Sequence, residues 1–109
     1  MKKEIVSKKI LFEIIDHYGK KIITTQEYWN RINTIKHPEA QLKREEVIKT
    51  IQKPDIIYQG NDNKSYIFVR TYRRYKLFVI LKHENNIGFL ITIYITTKKK
   101  INKKILWQK

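Results

Sequence analysis

The chain has 109 residues, with 24 lysines and arginines against 10 acids, a formal net charge of +14. That length makes one domain and buries roughly 60–70% of its unfolded surface, enough to fold without staples. There is no cysteine, which excludes disulfides and thiolate metal sites. Hydrophobic residues at 41% and aromatics at 12% exclude a disordered chain. No apolar run approaches the ~20 residues that span a bilayer. The start Met1-Lys2-Lys3-Glu4 lacks an apolar signal core, so a cytoplasmic protein is expected. Such a cationic excess repels itself and calls for a polyanion: nucleic acid, an anionic membrane surface or an acidic protein. The bland alternative is lysine used simply to fill the surface.

The first elements read as a hairpin. Ile10 to Ile15 forms one arm, His17-Tyr18-Gly19-Lys20 the turn, and Ile22-Ile23-Thr24 the other arm. Thr24 and Glu27 have the spacing of a capping box, predicting a helix from Thr24 to about Lys36. Tyr28, Trp29, Ile32 and Ile35 give it an apolar stripe, and His37-Pro38 ends it. A second helix is expected over Gln41–Gln52, with Val47, Ile48 and Ile51 on one face and Pro54 closing it.

From Asp55 the period becomes two. Strands are predicted at Ile56–Gln59, Tyr66–Tyr72, Tyr75–Lys82 and Gly88–Thr96. The short links Gly60–Asn63, Arg73-Arg74 and Glu84-Asn85-Asn86 make neighbours antiparallel. The chain closes on Lys98-Lys99-Lys100, Lys103-Lys104 and then Ile105-Leu106-Trp107. The fold class this predicts is α+β: an N-terminal hairpin and two helices packed on a four-stranded antiparallel β-sheet, in a single domain.

Strict alternation in the last strand puts Phe89, Ile91, Ile93 and Ile95 on the core face. Leu90, Thr92, Tyr94 and Thr96 then point the other way, so three hydroxyls form a row. Threonine and tyrosine also simply favour strands. In the strand Tyr66–Tyr72, Arg70 lies among Tyr66, Phe68 and Tyr72, a setting suited to stacking on bases and pairing with phosphate. The run Arg70-Thr71-Tyr72-Arg73-Arg74-Tyr75-Lys76 interleaves cations with tyrosines, a nucleic-acid signature of modest specificity. His37 is a general acid–base candidate, whereas His17 and His83 read as structural. The three histidines have no metal-ligand spacing, and no phosphate-cradling glycine loop is present.

One ordered set of residues goes further. Trp29-x-x-Ile32 is followed by His37-Pro38-Glu39, Lys53-Pro54-Asp55-Ile56, Tyr66-Ile67-Phe68 and Leu77 to His83. Gly88-Phe89-Leu90-Ile91-Thr92-Ile93-Tyr94-Ile95-Thr96 completes it. From about Ile22 to Trp107 this resembles the phage-type barnase–EndoU–colicin–RelE-like nucleases. Ile93 departs from the small residue expected before Tyr94.

The resemblance implies helices on one face of an antiparallel sheet and RNA on the other. It also implies a metal-independent endoribonuclease without cofactor, in which the RNA 2′-hydroxyl attacks the adjacent phosphate. It suggests a toxin of a toxin–antitoxin or phage-related system, with a small acidic antitoxin as a possible partner. In that scheme His37 is base or acid and Arg70 stabilises the phosphorane. Thr92 and Thr96 bond the scissile phosphate, and Tyr94 or Tyr72 stacks a base or relays a proton. Tyr72, Arg73, Arg74, Lys76, Lys98 and Lys99 hold RNA. The alternatives are a non-catalytic RNA-binding module and a basic protein-interaction domain; membrane-surface binding is more distant, because no basic amphipathic helix accompanies the lysine-rich tail.

Overall fold

The computed structural model describes residues 10–31, 44–97 and 101–109, without the side chains of Tyr28 and Arg31. Its strands are β1 (Ile10–Ile15), β2 (Lys21–Thr25), β3 (Ile56–Gln59), β4 (Ser65–Tyr72), β5 (Tyr75–Glu84), β6 (Ile87–Thr96) and β7 (Ile105–Gln108). A six-residue helical segment, α1 (Gln26–Arg31), follows β2, and one helix longer than two turns, α2 (Arg44–Gln52), precedes β3.

All seven strands join one sheet in the order β1-β2-β6-β5-β4-β3-β7. Every pairing is antiparallel except β2 with β6, which run parallel. This corrects the expected four-stranded antiparallel sheet: the architecture is a mixed, mostly β structure. The N-terminal hairpin does not pack on the sheet but extends it, and the tail Ile105–Gln108 adds the opposite edge against β3.

The parallel junction has a local cause. Ile22 is fully buried opposite Gly88. A Cβ at Gly88 would stand 2.5 Å from Ile22 Cδ1 and 3.0 Å from the His83 ring. Only a residue without a side chain lets β2 come this close.

The sheet's two faces differ. One carries Ile22, Ile57, Phe68, Leu77, Val79, Leu81, Leu90 and Ile93, which form the main core with Phe12, Trp29 of α1, and Val47 and Ile51 of α2. The other carries Tyr58, Ile67, Val69 and Phe78, against which Ile56, Ile80, Tyr94 and Ile101 pack. Ile101, ahead of β7, thus covers part of the second face.

A β-bulge breaks the expected alternation in β6. Ile80 pairs with Thr92 but Leu81 pairs with Leu90, so Ile91 is the extra residue. Beyond it the faces exchange. Leu90 is buried, whereas Phe89 and Ile91 are 43% and 38% exposed, the reverse of the expected assignment. Thr24 also departs from expectation. It lies buried in β2 with its hydroxyl unpaired, and the helical segment begins after Thr25.

Candidate nucleic-acid interface

The basic end of the molecule is built by the β4–β5 hairpin. Tyr72 pairs with Tyr75, leaving Arg73-Arg74 as a two-residue loop. Such loops match strand twist when the first central residue has positive φ, a position suited to glycine or asparagine. Asn85 fills the same place in the β5–β6 hairpin, at φ 57°. In β4–β5 the residue is Arg73, at φ 58°. A side chain costs about 1 kcal/mol or more in that region, and backbone strain of this kind is often kept for function.

The two loop arginines splay apart over the flanking rings. The Arg73 guanidinium lies 5.5 Å from the Tyr72 ring centroid, and that of Arg74 lies 5.4 Å from Tyr75. A hydrogen bond to the Tyr75 hydroxyl raises the Arg74 pKa further. An open pocket of about 270 Å³ is lined by Thr71, Arg73, Arg74, Tyr75, Lys76 and Thr97.

Beside this loop, on the helix-bearing face, Arg70 is anchored to α2. Its Nε donates to Thr50 Oγ1 at 3.2 Å, and its Nη2 donates to the Glu46 carbonyl at 3.2 Å and to the Glu46 carboxylate. Both side chains of this pair are about one-fifth exposed. The Arg70 hydrogen bond holds the Glu46 carboxyl below the usual carboxylate range against the opposing pull of burial, and Lys49 and Arg73 add to it. Arg73 is therefore within electrostatic reach of the pair. Nη1 of Arg70 bonds none of the described residues. One edge of the guanidinium is thus fixed by α2.

Thr92, Tyr94 and Thr96 do form a row, on the opposite face. Tyr94 stacks on Phe78 at 4.8 Å, and burial raises its pKa. Thr96 pairs across the sheet with Lys76, and Lys76 with Thr71. The structure therefore brings Arg73, Arg74, Lys76, Thr71 and Thr97 together at one end and Thr96 to their edge. It does not bring Arg70 together with Thr92, Tyr94 and Thr96, because the sheet lies between them. His37, Lys98 and Lys99 lie outside the described residues.

A second polar cluster, at the other end of the sheet, joins two histidines that read as structural. Asp16 is buried and accepts bonds from the Tyr18 and Lys20 amides at 2.9 Å each. Its other oxygen meets His83 Nε2 at 2.7 Å. Tyr66 lies 4.4 Å from the His83 ring, and Trp107 lies 4.2 Å from the His17 ring. Burial first, then Tyr66 and Asp16, raises the Tyr18 pKa. The sequence reads as a turn at His17-Tyr18-Gly19-Lys20; the available signal is Asp16 just before it, an aspartate that ties down the backbone as Asx turns do. Its partner His83 is 67 residues away, out of reach of local pattern.

Among the described residues, no group of three or more histidines, cysteines and acids is placed to hold a metal, and no helix is long and apolar enough to cross a membrane. Comparison with protein-family models, with characterised proteins and with solved structures finds no match to this chain.

Proposed function

We propose that this chain grips single-stranded RNA at its β4–β5 end and cleaves it there without a metal ion. The observation that carries this reading is the anchored guanidinium of Arg70, with the charge of Arg73 reaching the same ion pair and Arg74 beside it in the loop. RNA supplies its own nucleophile, so cleavage needs a proton acceptor, a cation for the phosphorane and a proton donor. A guanidinium already oriented by Glu46 and Thr50 needs no reorganisation to meet phosphate oxygens, and its planar fork suits them. The loop arginines and Tyr72 and Tyr75 supply phosphate contacts and stacking surfaces. His37 remains the proposed acid or base. Thr92, Tyr94 and Thr96, across the sheet from Arg70, are left out of the reacting group, and Lys76, on their side, adds an outer phosphate contact beyond the loop.

This reading moves RNA off the hydroxyl row and onto the loop; Ile101 packs on the face that carries the row. A cytoplasmic toxin held in check by a small acidic protein over the basic end fits the same surface.

The test is incubation of the purified chain with single-stranded RNA in EDTA, with 2′,3′-cyclic phosphate ends as the readout. Arg70→Lys, which keeps charge but loses the fork, should abolish cleavage more than binding; His37→Ala should do the same. Salt-sensitive binding with no cleavage by the wild type leaves a binding module, and no binding ends the proposal.

A further inference from the structure

The sheet face that lies away from the helices is open where β1, β2 and β6 meet. Ile15 is 53% exposed, Ile87 is 37%, and Phe89 and Ile91 add to them. These account for four of the seven large apolar side chains exposed among the described residues. Apolar surface gathered this way on a chain of charge +14 marks a contact site.

Strand register fixes the pattern of the patch. One row across β5, β6, β2 and β1 reads Lys82, Phe89, Ile23, Glu13. The next reads Glu84, Ile87, Lys21, Ile15. The charged members of the two rows are matched: Lys21 lies 3.3 Å from Glu13, and Lys82 lies 3.6 Å from Glu84, a carboxylate it shares with Lys64 at the same distance. This patch is thus close to locally neutral, unlike the basic end. An acidic partner finds no excess charge on it, whereas a second copy meets no local repulsion.

We infer that this face is the interface of a homodimer. The first row runs basic, apolar, apolar, acidic. A two-fold axis parallel to the strands, between β2 and β6, reverses that order in the facing copy. Lys82 then meets Glu13 of the second copy, and Phe89 meets Ile23 of the second copy, each twice. Two sheets packed face to face with nearly aligned strands is an ordinary solution for burying apolar sheet surface. The first row is self-complementary, as a two-fold dimer requires, while the second sets Glu84 over Ile15 and Lys21 over Ile87, so those two charges stay with Lys82 and Glu13 of their own copy. The bulge at Ile91 gives the patch its largest member, since without it Phe89 would turn into the core. The basic ends of both copies stay clear of the contact, so RNA cleavage in the preceding section stands or falls separately.

Sedimentation velocity on the full chain, over a range of concentrations, tests the inference. The wild type should sediment at twice the chain mass. Lys82→Glu and Glu13→Lys should each weaken the dimer by about tenfold or more, and the double exchange should restore it. Circular dichroism on each variant separates loss of the dimer from loss of the fold. A wild type that stays monomeric at its highest soluble concentration overturns the inference. So does a dimer indifferent to both single exchanges, or a mass increase that appears only when RNA is added.

Discussion

Replacing Arg73 by asparagine should leave stability nearly unchanged while weakening RNA binding. Arg73 sits at φ 58°, where a residue with a side chain loses about 1 kcal/mol relative to its preferred backbone regions. Asparagine, which tolerates that region, recovers much of this. Against it stands the cation–π attraction to the Tyr72 ring at 5.5 Å, which asparagine cannot make and which is worth about 0.5–1 kcal/mol at an exposed site. The two nearly cancel, so the melting temperature of a chain this size should shift by no more than about 4 °C. Binding has no such compensation. Taking one cation away from the phosphates of a single strand lowers the slope of log K against log salt by about 0.7. Urea melts and fluorescence anisotropy on a short labelled RNA, read from low to high salt, measure both. Destabilisation by well over ~1 kcal/mol, the size of the backbone term, would show that the fold, not RNA, retains the arginine. An unchanged salt slope would remove Arg73 from the groups that pair with phosphate.

Other substitutions probe the scaffold. Thr24→Val removes a buried hydroxyl that has no partner, and should raise stability by about 1 kcal/mol in a urea melt. Gly88→Ala forces a Cβ against Ile22 and the His83 ring and should cost about 1–3 kcal/mol. Glu46 titrates lower in the folded chain than in the unfolded one, so in that range the unfolded chain binds more protons. Stability is then fully present above the ordinary carboxylate range and falls as acid carries the pH down through the folded-state value. Asp55 behaves alike: burial opposes its shift, and the Thr71 amide and Lys109 outweigh it. Denaturant midpoints at descending pH should therefore fall for the wild type and fall less for Glu46→Gln.

Local pattern made much of the strand content legible. The β4–β5 and β5–β6 hairpins announce themselves through alternating residues and short links, but Phe68, read with Tyr66 and Tyr72 as a stacking surface, is fully buried in the main core, while Ile67 and Val69 are buried on the other face. What the pattern could not carry was pairing between distant segments. Nothing near Ile22 signals a parallel neighbour as far along the chain as Gly88, and Ile105-Leu106-Trp107 is too short to declare itself a strand without β3 beside it. The bulge is equally silent, since Leu90-Ile91 offers two apolar residues and either can face inward. At the site, the cationic loop was readable as composition. The assignment of Arg70 to a face was readable too, but its anchor was not, because Glu46 lies 24 residues away in the second helix, beyond the reach of local pattern.

The layout of the sheet also orders its assembly. The meander β3-β4-β5-β6 needs only pairing between sequence neighbours, whereas β2 must wait for β6 and β7 must return to β3. Closing such long loops slows folding. The central meander, with the arginine loop already formed, is therefore expected to precede the docking of both flanks. Until β7 arrives, the outer rim of β3 is bare backbone able to template a foreign strand. A chain cut before β7 would keep its arginine loop and lose its protection against clumping.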